Sequence, residues 1–212
     1  MHIVMTLPRW DDVTEYLSAF SKNIINKCKE NQILITPLEN ENVTKKQFQS
    51  SIRKNTKMLI LNGHGSPDCI RGHKDEKIIS LGLNDNLLNG RITYARSCWS
   101  FSKLSQICLN KKAGCFIGYI LPFQFIVQER WAINPIKDNI AKIFFDTSNL
   151  VPLGLIKGNT AGESNENSKR SMLKAMNKIL KEGEAGNKAI FRALWNNYDS
   201  QKIAGNKDLR LL

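Results

Sequence analysis

No stretch of this sequence approaches the run of about eighteen apolar residues that a membrane-crossing helix requires, so no membrane span is expected. The opening Met-His-Ile-Val-Met-Thr-Leu-Pro is too short and too uncharged to read as a secretory signal. Cysteine is scarce: Cys28, Cys69, Cys98, Cys108 and Cys115 are odd in number, show no paired framework and include no Cys-x2-Cys. That pattern argues against a disulfide scaffold, and reduced thiols in a cytoplasmic protein are the expectation. Internal repeats are absent. Acidic residues are also few, 19 against 31 Lys and Arg, which leaves a formal net charge of +12. Such an excess raises the question of a nucleic-acid partner. The lysines, however, come one or two at a time, without interleaved aromatics and outside any recognisable nucleic-acid module. Specific nucleic-acid binding is therefore not expected; the charge reads as solvated surface, and an acidic protein partner would fit it equally well.

What is present is an alternation of short apolar runs and helical periods. At 212 residues the chain can bury a full core, and one domain over residues 1–212 is the default. His2 to Met5 suits a first strand, and Val13 to Cys28 carries Tyr16, Leu17, Phe20 and Ile24 at helical spacing, with Asp11 or Asp12 as cap. Ile33-Leu34-Ile35 reads as a second strand closed by Pro37, and Lys45 to Lys54 as a surface helix burying Phe48 and Ile52. Met58 to Leu61 and Ile92 to Ala95 are buried strands; between them, Cys69 to Arg71 and Lys77 to Leu81 form a hairpin and Asn84 to Asn89 a helical turn. After Cys98, the apolar residues Phe101, Leu104, Ile107 and Cys108 predict a helix, followed by a strand from Gly114 to Ile120. Trp131 to Phe145 suits a helix with Pro135 in its first turn. Pro152 to Ser168 lacks large apolar residues after Ile156 and reads as an exposed linker, centred near 157–170. Two amphipathic helices, Ser171 to Leu180 and Lys188 to Tyr198, complete the chain. Strand, helix, strand, helix, strand predicts an α/β fold around a mostly parallel sheet.

Two of the strands end in reactive side chains. The first runs into Asn62-Gly63-His64-Gly65-Ser66, the second into Arg96-Ser97-Cys98-Trp99-Ser100. In a parallel sheet functional groups gather at the C-terminal strand ends, so adjacent strands would let His64 and Cys98 face one another. A free cysteine alone is more often buried and inert. A titratable ring between two glycines is less bland, and the pair fits a nucleophile and its base. A helix starting at Cys98, with an imidazolium nearby, would lower the thiol pKa. The amides of Gly65 and Cys98 are placed to donate to a developing oxyanion.

These two motifs resemble the His-Gly and Ala/Ser-Cys dyad of the clan CD cysteine peptidases, which include caspases, metacaspases, legumain, gingipains, separase and the CHAT-domain proteases. The resemblance implies a caspase-like three-layer α/β/α sandwich, with His64 as acid and base, Cys98 as nucleophile, and an oxyanion hole from Gly65 and Cys98. It implies a cysteine endopeptidase acting on protein substrates without a cofactor, under the control of an activating or regulatory protein partner or of processing, in immunity or cell death. Trp99 and Ser100 follow the cysteine where the caspase and metacaspase patterns place a glycine. In those patterns the residue two before the nucleophile helps line the S1 pocket. Here it is Arg96, which would select an acidic P1 residue. The opposite reading pairs Arg96 with an acid such as Asp68, or leaves Asp68 free to select a basic P1. The linker offers both kinds of processing site, Glu163 and Glu166 or Lys169-Arg170.

Two other classes compete. His64, Cys69 and His73, with a further thiol, could hold zinc, although His-x4-Cys-x3-His is not a usual zinc spacing. A catalytically silent protein-binding scaffold would also fit the size and basic surface.

Overall fold

The computed structural model describes residues 1–107, 114–183 and 186–212. Its central sheet is built from β1 (His2–Leu7), β2 (Leu34–Glu39), β3 (Thr56–Asn62), β7 (Ile92–Arg96), β8 (Cys115–Tyr119) and β9 (Gln201–Gly205). The spatial order is β2-β1-β3-β7-β8-β9, parallel throughout except for β9, which runs antiparallel to β8 at one edge. A small antiparallel sheet of β4 (Gly65–Ser66), β5 (Cys69–Arg71) and β6 (Lys77–Ser80) stands after β3.

Strands covered on both faces should read as near-continuous apolar runs, and β1, β3 and β7 do. Their side chains divide by the period of two. Ile3, Met5, Ile60 and Tyr94 enter one core, which contains Tyr16, Phe20, Phe145 and Leu194 from the helices. Those helices are α1 (Asp12–Ala19), α2 (Lys22–Glu30), α4 (Asn139–Ile156), α5 (Ala161–Glu182) and α6 (Asn187–Ser200), with α3 (Lys45–Ser51) on the opposite side. Val4, Leu59, Leu61 and Ala95 enter the second core, with Phe48 of α3 and Ile70, Ile78 and Ile79 of the hairpin. The result is a three-layer α/β/α sandwich with a mostly parallel central sheet. No helix among the described residues is long and apolar enough to cross a membrane.

Several elements depart from the sequence reading, each for a local reason. The single helix over 13–28 is two, broken at Phe20 and Ser21; the carbonyl of Leu17 near the break accepts from Ser21 Oγ and from Arg96. Pro37 lies inside β2, which its position at a sheet edge permits. The helix expected from Trp131 begins only at Asn139, after two short 3-10 turns at Glu129–Trp131 and Pro135–Lys137. Its cap is Asp138, fully buried, which accepts from the amides of Ile140 and Ala141 and also from Gln128 N and Tyr16 Oη.

The expected linker near 157–170 is the largest correction. Helix α4 runs through Pro152 to Ile156, and α5 starts at Ala161 under a capping box in which Thr160 and Glu163 bond each other's backbone. Ser164, Asn165 and Ser168 are buried there. The small residues serve close helix packing: a methyl added at Gly154 would lie 2.7 Å from Ser164 Oγ. Glu163, Glu166, Lys169 and Arg170 are therefore helical and not loop residues open to processing.

Candidate active site

The register of the sheet sets the geometry. β3 and β7 are adjacent and parallel, and their last paired residues are Asn62 and Arg96. His64 and Cys98 each lie two residues beyond that pair, past the C-terminal strand ends. Gly63 lets the first strand turn there: its φ is +148°, and a methyl group would collide with the carbonyl oxygen of Arg71. Gly65 brings the two loops together, because a methyl on it would collide with Ser97 Oγ and lie 2.6 Å from the carbonyl oxygen of Cys98. His64 and Cys98 line the same cleft, of about 780 Å³, and a narrow recess between the strand ends is lined by Gly63, His64, Ser97 and Cys98.

The imidazole is held from a third strand. β1 neighbours β3, and the turn after it carries Trp10 and Asp11. His64 Nε2 lies 2.6 Å from Asp11 Oδ2, and the Trp10 ring meets the imidazole edge-on at 5.7 Å between centroids. Burial alone would raise the Asp11 pKa, but hydrogen bonds from Thr14 and His64 outweigh it and hold the carboxyl below its usual value. An ionised carboxylate only accepts, so Nε2 donates in this contact and Nδ1 is the ring nitrogen left for other partners. Sequence reading saw Asp11 only as a helix cap. Its signal was its place after the C-terminal end of a strand next to that of His64.

Cys98 is half buried, and that burial pushes its thiol pKa up, against hydrogen bonds from the amides of Phe123 and of Cys98 itself. The expected helix N-terminus at the sulfur is missing: residues 98–101 form turns, Trp99 takes a left-handed φ of +53°, and the first helical backbone after Cys98 among the described residues is at 106–107. The dipole that was to lower the thiol pKa is therefore not in place. Cys108, assigned to that helix, lies outside the described residues.

No protein-family model matches the chain, and no curated protein matches its sequence. Solved structures do. The crystal structure of the Arg-specific cysteine proteinase gingipain R matches with a TM-score of 0.59 at 12% identity, covering 99% of this chain and 46% of that one. The complex of the Porphyromonas gingivalis RgpB pro- and mature domains gives 0.60 at 10% identity, covering 99% and 48%. The chain is similar in fold to about half of gingipain R. At these identities the likeness is one of fold, and the chain spans about half the length of the structures it matches.

Within this gingipain-like fold, two residues assigned to substrate stand elsewhere. Arg96 borders the narrow recess between the strand ends, but its guanidinium is engaged by interior acceptors. It is fully buried, and its guanidinium donates to Asn62 Oδ1, Ser148 Oγ, Asn149 Oδ1, Ser21 Oγ and the Leu17 carbonyl, while lying 5.1 Å from the centre of the Phe145 ring. Its role is to tie β3 to α1, α2 and α4. Asp68 is exposed and accepts from Ser66 Oγ, away from both Arg96 and the residues lining the cleft. The zinc reading also lacks a ligand set: among the described residues no three His, Cys, Asp or Glu side chains converge, and Cys69 is buried against Ser66 Oγ at 3.0 Å.

Proposed function

We propose that the chain is a cysteine endopeptidase, a single catalytic domain over residues 1–212 that cleaves protein substrates with Cys98 as nucleophile and His64 as general base. One observation carries this reading: the two side chains occupy register-equivalent positions beyond adjacent parallel strands and line one cleft, with the imidazole oriented by Asp11. The raised thiol pKa favours attack in which the S–H proton passes to Nδ1 of His64 as the sulfur bonds to the substrate carbonyl carbon, not a preformed ion pair. The oxyanion then takes hydrogen bonds from the amides of Gly65 and Cys98. His64 returns the proton to the leaving amine as the C–N bond breaks, which leaves a thioester on Cys98. Water, giving a proton to His64, attacks the thioester; the C–S bond breaks and the thiol is restored.

A half-buried thiol without a helix N-terminus suits an enzyme kept slow until a protein partner or processing reshapes the loops. The test is the covalent mass of the protein after exposure to peptide acyloxymethyl ketones. A single adduct on Cys98, lost in Cys98→Ala and strongly slowed in His64→Ala, supports the reading. Peptide cleavage at the wild-type rate by a folded Cys98→Ala protein overturns it.

A further inference from the structure

The wall of the cleft differs in character from the rest of the molecule. Leading away from His64 and Cys98 it is formed by Val13 and Tyr16 of α1 and by Phe123, Phe125, Ile126 and Val127 of the segment after β8. Val13 and Val127 are large apolar side chains left 42% and 41% exposed, so the cleft presents apolar surface to solvent next to the sulfur. Among the described residues the only carboxylates on it are Asp12 and Glu129, both exposed, and no Lys or Arg lines it. In a chain of net charge +12 that is a local reversal of sign. The segment 123–128 is fixed in place: Gln124 exchanges backbone hydrogen bonds with the Asn197 side chain at 2.8 and 2.6 Å, and Gln128 N donates to the buried Asp138.

We propose that this cleft is the S1 site and takes a bulky apolar side chain, so that the substrates are polypeptides with an aliphatic or aromatic residue on the acyl side of the scissile bond. The inference rests on the peptidase reading above and names the substrate class of that same site. Among the described residues an acidic P1 residue would meet two carboxylates and no cation, because the guanidinium of Arg96 is already committed to interior acceptors. A basic P1 residue would find its partners only at exposed carboxylates, where ion pairs contribute little. An apolar side chain gains from leaving water against the wall itself, and about 780 Å³ leaves room for a Leu, Met or Phe residue with its flanking backbone.

The experiment has two arms. In the first, intact protein is labelled with acyloxymethyl ketones differing only in P1, namely Leu, Phe, Arg, Lys, Asp and Glu, and the Cys98 adduct is timed by mass spectrometry. Leu and Phe should label fastest, by on the order of tenfold or more. Val13→Asp and Val127→Asp, both at exposed positions, should keep the melting temperature while slowing Leu and Phe labelling by about tenfold and speeding that of Lys. Faster labelling by Arg, Lys, Asp or Glu in the wild type overturns this inference and leaves the cysteine chemistry standing; equal Leu labelling in both variants also overturns it. In the second arm, Cys98→Ala protein is titrated calorimetrically with unreactive peptides ending in Leu, Lys or Asp. Preference for Leu, lost in Val127→Asp, supports the apolar site even if no reagent labels the wild type, a result that would count against the peptidase reading alone. Equal binding of the three peptides overturns the apolar site.

Discussion

The carboxylate of Asp11 accepts a 2.6 Å hydrogen bond from Nε2 of His64, across 53 residues of sequence and from the turn of a neighbouring strand. The same carboxylate caps α1 by accepting from the amide and hydroxyl of Thr14. One side chain therefore both starts a helix and orients the imidazole of His64. If His64 is the general base, loss of this partner misorients the ring and frees the wrong nitrogen.

Asp11→Asn separates the two roles, because Asn caps helices about as well as Asp but carries no charge. Peptidase activity should fall by about 10²- to 10⁴-fold while the melting temperature changes little; Asp11→Ala should lose activity and also about 1 kcal/mol of stability. Since the Asp11 pKa is held below 3.8, its contribution to stability is present above that value and is lost as pH falls through the folded-state pKa. The stability gap between wild type and Asp11→Ala, read from urea unfolding, should therefore close on acidification below 3.8. A gap that widens there, or full activity in Asp11→Asn, would show that the pair does not act this way.

The thiol of Cys98 should titrate above the ordinary 9.0, because burial outweighs the two amides that favour its thiolate. Alkylation by iodoacetamide should accordingly speed up by about tenfold per pH unit between 7 and 9, as the thiolate fraction grows. Among Cys28, Cys69, Cys98 and Cys115 the adduct should form first on Cys98, since the other three are buried and burial drives Cys28 up to about 11. The raised folded-state pKa also makes stability fall as pH rises past 9.0, where the unfolded thiol ionises first; Cys98→Ala should lessen that fall. Mass mapping over a pH series reads the first effect, and chemical denaturation reads the second.

Where the sequence carries continuous apolar runs, reading and structure agree. The apolar runs of β3, β7 and β8 and the hairpin between the first two are unambiguous because burial on both faces leaves little room for polar residues. Pro152 to Ser168 misled for the opposite reason. Its Gly, Ser and Asn residues suit a loop, but Gly154, Ser164, Asn165 and Ser168 are buried, and at the contact of Gly154 with Ser164 small size matters more than propensity. The Thr160-x-x-Glu163 capping box was the signal that could have marked the second helix. The strand-end positions of His64 and Cys98 were legible as well. The partner of His64 was not, since only the neighbouring of β1 and β3 brings Asp11 to it. Nor was the fate of Arg96, which follows from Asn62, Ser21 and Asn149 arriving from three separate elements.

Arg96 should behave as a structural residue. Its guanidinium is fully buried and, among the described residues, has no carboxylate partner; neutral oxygens and the face of Phe145 hold it. Burial lowers its pKa, but a guanidinium remains charged. Arg96→Met would strand several buried acceptors and should cost about 3 kcal/mol or more in urea unfolding. Arg96→Lys, with three donors in place of a planar fork, should recover only part of that loss. A folded Arg96→Met protein of wild-type stability with altered P1 preference would return Arg96 to the substrate site.

Gly65→Ala tests the approach of the two loops. The backbone at Gly65 is not left-handed, so alanine meets no conformational penalty there; the obstacle is space alone. Its methyl would press on the buried hydroxyl of Ser97 and come within 2.6 Å of the Cys98 carbonyl oxygen, neither of which is the far end of a flexible side chain. The loops must separate, carrying His64 away from Cys98 and, in the proposed mechanism, the Gly65 amide away from the oxyanion. Misplacement by about 1 Å in such a site costs on the order of a hundredfold in rate. Stability should suffer less, because the strands beneath are joined by their own ladder from Met58–Ile92 to Asn62–Arg96. The measurements are kcat/KM and alkylation rate at Cys98 together. If the loops simply part, peptide turnover collapses while iodoacetamide reaches the sulfur at least as fast as before. Equal loss of both would instead point to collapse of the Cys98 loop, and unchanged turnover would show that the contact between the loops does not set the catalytic geometry.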